Sequence, residues 1–137
     1  MTQKDKNLLF QDLCGRIPYG VKCISGVNDA TLIIEGINPN SNGASQIQVT
    51  YECSEINFDT KISTIKPYLF PMSSMTEEQK SEFFARFIEL ELKYLNGKIK
   101  HYEIVQFEID FYNKKHLDYR GLIPKGLALD ATGLNIY

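Results

Sequence analysis

The sequence has no tryptophan, only three cysteines and no long apolar run. Cys14, Cys23 and Cys53 are odd in number and widely spaced, so they form neither a complete disulfide framework nor a CxxC metal or redox pair. We expect reduced, mostly buried thiols. No segment approaches the roughly 20 apolar residues that cross a bilayer, and the apolar run 8–10 is too short for a secretory signal. These absences predict a cytoplasmic protein without membrane contact.

A surplus of positive charge and the common catalytic motifs are also missing. The 15 basic and 17 acidic residues leave a net charge of −2, which argues against a surface that binds nucleic acid or anionic lipid everywhere. The chain has no GxSxG elbow, HExxH pair or phosphate-binding GxxxxGK[ST] loop, and its two histidines are His101 and His116. The sequence therefore predicts a protein that is not an enzyme, with no catalytic residue, cofactor or metal.

Aromatic residues, in contrast, are abundant. Eight Tyr and eight Phe occur among 137 residues, of which 43% are hydrophobic. Large rings bury much area per residue, and a chain of this length can form a core without a metal or disulfide. We therefore expect one globular domain over residues 1–137, with a strand-rich part at 18–66 and a helical part at 74–137.

The strand-rich part contains three runs dominated by β-branched residues. They are 21–24, 30–34 and 47–53. Apolar and polar side chains alternate in the third run, so one face of that strand should be buried. This face comprises Ile47, Val49, Tyr51 and Cys53. A dense group of turn-forming residues at 38–43 favours a tight hairpin turn, and the pattern predicts a small antiparallel meander.

The segment 66–79 joins the strand-rich part to the helical part. Its two prolines favour extended backbone, and Ser74 or Thr76, each followed three residues later by Glu or Gln, would cap a helix. Apolar residues then recur on one helical stripe as far as the Asn-Gly pair at 96–97. The stripe comprises Phe83, Phe84, Phe87, Ile88, Leu92 and Leu95.

Two further segments have helical character. Between 100 and 115 the apolar residues permit both a strand and a helix, but no turn signal interrupts the segment, and its length favours a helix to about His116. Leu9 and Leu13 lie in an N-terminal helix for which Gly15 is a candidate C-cap. We therefore predict an α+β fold, in which an N-terminal helix and a small antiparallel sheet precede two C-terminal helices packed on the sheet.

Three tracts carry a resemblance to a known family. They are DLCGRIPYGV (12–21), KPYLFPMSSMTEE (66–78) and HLDYRGLIPKGLAL (116–129). Together they resemble a family of small proteins that is common in genomes and prophage regions of gut anaerobes and has no established activity. The resemblance spans nearly the whole chain, and it implies a protein of a prophage-like or mobile element.

The polar group His116, Asp118 and Arg120 is the densest candidate for chemistry. His can transfer protons near neutral pH, and a carboxylate can orient its ring. A helix-end role for His116 and a carboxylate or carbonyl partner for Arg120 are the structural alternatives, and we favour them.

The C-terminal third is basic and rich in tyrosine, whereas the helix that precedes it is acidic. This polarity would suit stacking on single-stranded nucleic acid, or it would let the two helices attract each other. The negative net charge favours the second interpretation.

We therefore predict a non-enzymatic protein-interaction or adaptor protein that binds another protein or forms a homo-oligomer. The apolar segment at 67–72 and the tyrosine-rich C-terminal surface supply its candidate interaction residues. These are Tyr68, Phe70, Met72, Tyr112, His116, Tyr119 and Arg120. The alternative is a weak nucleic-acid-binding accessory protein that uses the basic C-terminal third.

Overall fold

The computed structural model describes residues 1–39 and 45–137. Within them the chain has an N-terminal helix, a mostly antiparallel sheet and two C-terminal helices, which confirms the predicted α+β fold. The helices are α1 (Gln3–Arg16), α2 (Glu77–Leu95) and α3 (His101–Lys114). The strands are β1 (Lys22–Ser25), β2 (Thr31–Pro39), β3 (Ser45–Tyr51), β4 (Asn57–Lys61), β5 (Ile65–Leu69) and β6 (Leu129–Asp130).

The strands lie in the order β4-β3-β2-β1-β5-β6. Among the described strands, β6 alone runs parallel to its neighbour, and the other pairs are antiparallel. A bridge between Phe70 and Leu117 continues the parallel edge next to β5. The predicted hairpin turn falls largely on residues 40–44, which lie outside the described residues.

Helix α1 covers the sheet and forms the main core with it. Leu9 and Leu13 are fully buried on the inner face of the helix. The C-terminal tract completes this core with Leu122, Leu127 and Ala128. The strands contribute Cys23, Leu32, Ile34, Ile47, Val49, Ile65 and Leu69, and Val21 adds to the core just before β1.

The alternation predicted for β3 is confirmed at its centre, where Ile47 and Val49 are buried and Gln48 is exposed. It fails at its end, because Tyr51 is half-buried and Cys53 is exposed. The strand stops at Tyr51 and the chain turns, so the period of two no longer sets the direction of Cys53.

The expectation of mostly buried thiols is therefore wrong for Cys53, and it is also wrong for Cys14, which is exposed. Cys14 follows the buried Leu13 by one residue, and about 100° of helical rotation takes it to the solvent side of α1. Cys23 alone among the three is buried, and burial raises the pKa of its thiol to about 12.

Gly15 does not end the N-terminal helix, so its prediction as a C-cap is wrong. Helix α1 continues to Arg16, and the left-handed turn comes at Gly20 with φ 68°. A Cβ atom on Gly15 would lie 2.8 Å from Nδ2 of Asn113. A side chain at this position would displace the Asn113 amide, so the glycine allows α1 to lie close to the end of α3.

Helices α2 and α3 form a hairpin with a second core. Thr76 is the N-cap of α2, and its hydroxyl accepts the amide N–H of Gln79 at 3.1 Å, as the capping pattern predicts. The segment 101–114 is helical, which confirms the favoured interpretation of its ambiguous pattern. The Phe83 ring lies at the centre of this core, between 5.2 and 5.8 Å from the rings of Phe87, Phe107, Phe111 and Tyr112.

The apolar stripe of α2 divides into two faces. Phe83 is buried and Phe87 half-buried against α3, whereas the other members are exposed. These are Phe84, Ile88, Leu92 and Leu95. Among the described residues, no helix combines the length and the apolar character that a bilayer span requires.

Candidate functional site

The structure brings Met72, Tyr112, Tyr119 and Arg120 together around one open groove of about 600 Å³. We call it the Tyr119 groove. Its remaining walls come from α3 and are formed by Val105, Glu108 and Ile109. Apolar, aromatic and charged side chains therefore share one concave surface, which is typical of a binding site.

Main-chain pairing between two distant tracts builds the groove. The amide N–H of Phe70 donates to the carbonyl of His116 at 2.8 Å, and the amide N–H of Asp118 donates back to the carbonyl of Phe70 at 2.8 Å. Pro71 then starts a single 3₁₀ turn that carries Met72, and the hydroxyl of Ser74 donates to the Pro71 carbonyl at 2.7 Å. This pairing fixes Met72 beside the Tyr119 turn.

Two guanidinium groups lie near the Tyr119 ring. Cζ of Arg16 is 5.3 Å from the ring centroid, and Cζ of Arg120 is 5.2 Å from it. Cations at these distances are attracted to the electron-rich face of an aromatic ring. The ring of Tyr112 lies 5.6 Å from the same centroid. Tyr119 is therefore packed between charged and aromatic neighbours, which orient it as a wall of the groove.

A buried ion pair underlies this wall. Asp12 accepts from Nε of Arg16 at 2.6 Å and from its Nη2 at 3.0 Å, and both side chains are fully buried. Nη2 also donates to the carbonyl of Leu117 at 2.8 Å, which attaches α1 to the C-terminal tract. Nε of Arg120 lies 3.5 Å from Oδ1 of Asp12, so Arg120 has the carboxylate partner that the sequence predicted. One carboxylate thus faces two guanidinium groups.

Sequence reasoning missed the Asp12–Arg16 pair, although a signal for it was present. Leu9, Asp12, Leu13 and Arg16 follow the spacing i, i+3, i+4, i+7 and therefore share one helical face. A charged pair on the apolar face of a helix indicates a buried ion pair. Ionised side chains are rarely fully buried unless they are paired, and no prediction was drawn from this face.

Unpaired polar atoms gather at the same place. Among the described residues, the buried side-chain atoms without a hydrogen-bond partner are Arg16 Nη1, Asn113 Oδ1, His116 Nδ1 and Arg120 Nε. All four side chains lie where α1, the end of α3 and the C-terminal tract meet. The guanidinium groups of Arg16 and Arg120 share one carboxylate here, and the Arg120 side chain is 31% exposed. Part of the positive charge that Asp12 does not balance therefore reaches the groove.

The other predicted interaction residues, Tyr68, Phe70 and His116, lie around Tyr137. The Tyr137 ring stacks on His116 with 3.6 Å between the centroids, and its hydroxyl donates to the carbonyl of Tyr68 at 2.8 Å. Burial raises the pKa of Tyr137 to about 12, although the residue as a whole is 42% exposed. Tyr68 is itself buried. This Tyr137 cluster packs the C-terminal tract against β5.

His116 and Asp118 have separate structural contacts. Burial, together with the nearby charges of Arg16 and Lys22, lowers the pKa of His116 to about 4, so the ring is neutral at pH 7. The two carboxylate oxygens of Asp118 accept the amide N–H groups of Leu122 and Ile123, each at 2.8 Å. The carboxylate therefore stabilises the following turn. The absence of catalysis itself stays a prediction.

We expect the stability of the protein to fall as the pH decreases from about 6.5 to about 4 because of His116. The folded-state pKa is below the ordinary value of 6.5, so between these two pH values His116 is protonated in the unfolded chain and neutral in the folded chain. After allowance for partial exposure, the loss should be roughly 1–2 kcal/mol. Urea unfolding of the wild type and of His116→Asn, which tolerates the local φ of 58°, measures the difference. The free energy of unfolding should depend less on pH in His116→Asn than in the wild type, and His101→Asn, at an exposed position, should behave like the wild type. Equal pH dependence in His116→Asn and the wild type, or a reduced dependence in His101→Asn, would contradict this.

The opposite charges of the acidic helix α2 and the basic C-terminal third form an ion pair within the molecule. Nζ of Lys115 lies 3.0 Å from Oε2 of Glu82 and 5.6 Å from the centroid of the Phe111 ring, so this lysine joins α3 to α2. Tyr102, in contrast, is 70% exposed, and it lies near Lys98 and Lys100 in sequence. The first observation favours attraction between the helices, and the second keeps the nucleic-acid alternative open.

Within residues 1–39 and 45–137, no three His, Cys, Asp or Glu side chains are grouped closely enough to bind a metal ion. The prediction that the protein binds no metal stays a prediction. The site consists of the Tyr119 groove, the buried ion pair beneath it and the adjoining Tyr137 cluster. Comparison of the chain with protein-family models, with curated proteins and with solved structures gives no match, so the resemblance of its three tracts stays a prediction.

Proposed function

We propose that this is a non-enzymatic interaction or adaptor protein that binds a segment of another protein in the Tyr119 groove. The observation that carries the proposal is the convergence of Met72, Tyr112, Tyr119 and Arg120 on one open groove. Two sequence tracts far apart in the chain meet there. A cellular setting in a prophage-like or mobile element, which the resemblance implies, belongs to the same proposal.

The side chains that line the groove indicate which side chains a bound segment should carry. Met72 and Val105 are 37% and 40% exposed, and they offer apolar contact to a side chain of the bound segment. The guanidinium of Arg120 shares the Asp12 carboxylate with Arg16, and the Arg120 side chain is 31% exposed. A carboxylate on the partner could approach the exposed part of this guanidinium and balance the second positive charge. We therefore expect a peptide that places an acidic side chain beside an apolar one.

Selection from a random peptide library on the immobilised full chain tests the proposal. The selected peptides should contain the acidic and apolar pair, and Met72→Glu or Val105→Glu should weaken their binding at least tenfold, about 1.4 kcal/mol. Each substitution adds a negative charge to the apolar wall, near Glu108. Ile56→Glu is the matched control because Ile56 is 63% exposed and precedes β4 at the opposite edge of the sheet.

Titration calorimetry of the selected peptides with the folded variants gives the affinities. Peptides that bind the wild type, Met72→Glu and Ile56→Glu equally well would contradict the proposal, as would a selection without enrichment. Single-stranded oligonucleotides are the parallel probe. Binding that is lost as salt increases, and that depends on Lys98, Lys100 and Tyr102 instead of the groove, would support the nucleic-acid alternative in its place.

A further inference from the structure

Helix α2 has an apolar face that nothing in the described structure covers. Phe84, Ile88, Leu92 and Leu95 are 54%, 56%, 57% and 74% exposed, and we call them the α2 ridge. Their spacing of four, four and three residues places them on one narrow strip of the helix. Apolar side chains gathered in this way on a soluble protein mark an interaction surface more often than isolated ones do.

The ridge is separate from the two other faces of α2. Phe83 and Phe87 pack toward α3. The opposite side carries an ion-pair network in which Glu89 contacts Arg86 at 2.7 Å and Lys93 at 3.1 Å. A helix that packs on one neighbour needs one apolar face. The ridge is a second apolar face, and residues 1–39 and 45–137 of the same chain leave it exposed.

From this we infer that the α2 ridge binds the α2 ridge of a second copy of the chain, with the two helices antiparallel and Ile88 at the two-fold axis. A two-fold interface must be self-complementary, since each residue meets the counterpart at the mirrored position along the axis. Centred on Ile88, such an interface places Phe84 opposite the second copy's Leu92, four residues to either side. It also places the small Ser81 opposite the large Leu95, which allows close approach of the helices.

The charges at the ends of the ridge fit the same antiparallel arrangement. Glu78 lies in the first turn of α2, and Lys98 lies just after its last turn, where its amide N–H donates to the carbonyl of Lys93 at 2.9 Å. Glu77 adds a second negative charge at the first end and Lys100 a second positive charge near the other. An antiparallel pair brings opposite charges together at both ends, whereas a parallel pair would bring like charges together. Complementary charge of this kind fixes orientation and register.

This inference concerns a surface distinct from the Tyr119 groove and does not rest on the proposed function. Helix α2, with 19 residues, is about 28 Å long, so the ridge can contact its counterpart over several turns. The dimer would expose two Tyr119 grooves. Substitutions on the ridge and in the groove therefore have separable effects.

Sedimentation velocity of the full chain over a range of concentrations tests the dimer. The mass should rise from 15.7 kDa toward twice that value, and Ile88→Glu should keep the chain monomeric with an unchanged circular dichroism spectrum. Ile56→Glu, at an equally exposed site, should dimerise like the wild type, and so should Met72→Glu. A wild type that is monomeric at every concentration, or a dimer that persists in Ile88→Glu, would overturn the inference.

Disulfide trapping tests the antiparallel register. In a background with the exposed Cys14 and Cys53 replaced by serine, Ile88→Cys should form a cross-linked dimer because its two copies meet at the axis. Phe84→Cys alone should not, since the two copies would lie about 12 Å apart along the helices. Efficient cross-linking of Phe84→Cys, without that of Ile88→Cys, would contradict the arrangement.

Discussion

Replacing Asp12 by alanine should lower the free energy of unfolding by about 3–5 kcal/mol, because it leaves buried positive charge without its partner. Arg16 is fully buried, and Asp12 accepts two of its hydrogen bonds. Arg120 depends on the same carboxylate. Since a domain is commonly stable by only about 5–15 kcal/mol, this single change should place the protein near the limit of folding. Urea unfolding followed by circular dichroism measures it.

Two comparison variants separate the loss of charge balance from a general sensitivity of the helices. Asp12→Leu combined with Arg16→Met replaces the pair with apolar side chains and should recover most of the loss. Lys80→Ala removes an exposed ion pair with Glu77 and should change stability by no more than about 0.5 kcal/mol. A loss below about 1 kcal/mol in Asp12→Ala, similar to that of Lys80→Ala, would show that the buried pair has no special role.

The same pair links stability to the candidate site. Arg16 contacts the Tyr119 ring on one side and the Leu117 carbonyl on another. Helix α1 therefore helps to position the groove, although it supplies none of the side chains that line it. Changes at Asp12 should be compared with groove substitutions only after folding has been verified.

The fold class followed from local patterns in the sequence. The capping box at Thr76 marks the beginning of α2 because its two hydrogen bonds involve residues only three apart. The alternation in β3 predicts burial of Ile47 and Val49 for a similar reason, since direction along a strand is a local property. Such signals need no knowledge of distant parts of the chain.

The errors arose where a distant contact determined the outcome. Glycine is common at the ends of helices, but Gly15 lies within α1, where the side chain of Asn113 on α3 packs against it. Cys53 continues an apolar alternation, but the strand has already ended. The division of the α2 stripe likewise depends on α3, which covers Phe83 and leaves Ile88 exposed. A pattern of helical period shows which side chains share a face and not how many neighbours cover it.

The residue types of the candidate site were predictable from the sequence, but their arrangement in space was not. Its interaction residues were chosen because they are apolar, aromatic or cationic near turns, and Met72, Tyr112, Tyr119 and Arg120 do meet in one groove. Their meeting depends on main-chain hydrogen bonds between Phe70 and the tract at 116–118. No periodicity encodes that pairing, and the spacing in sequence gave no indication of it.

Replacing Leu122 by alanine should cost about 2–5 kcal/mol, because it leaves a cavity in the main core. Leu122 is fully buried and belongs to the same apolar cluster as α1 and the central strands. Its amide N–H also donates to the Asp118 carboxylate, and this hydrogen bond stabilises the turn that points the Leu122 side chain into the core. The C-terminal tract should therefore unfold together with the sheet, in one transition that urea titration measures.

Leu134→Ala is the matched control for this prediction. Leu134 lies in the same tract and is 53% exposed, so its truncation removes little buried area and should change stability by less than about 0.5 kcal/mol. If Leu122→Ala were as mild as Leu134→Ala, the tract would be only loosely attached to the core. The walls formed by Tyr119 and Arg120 would then lack a fixed support, and both the groove and the partner chemistry inferred from it would have to be abandoned.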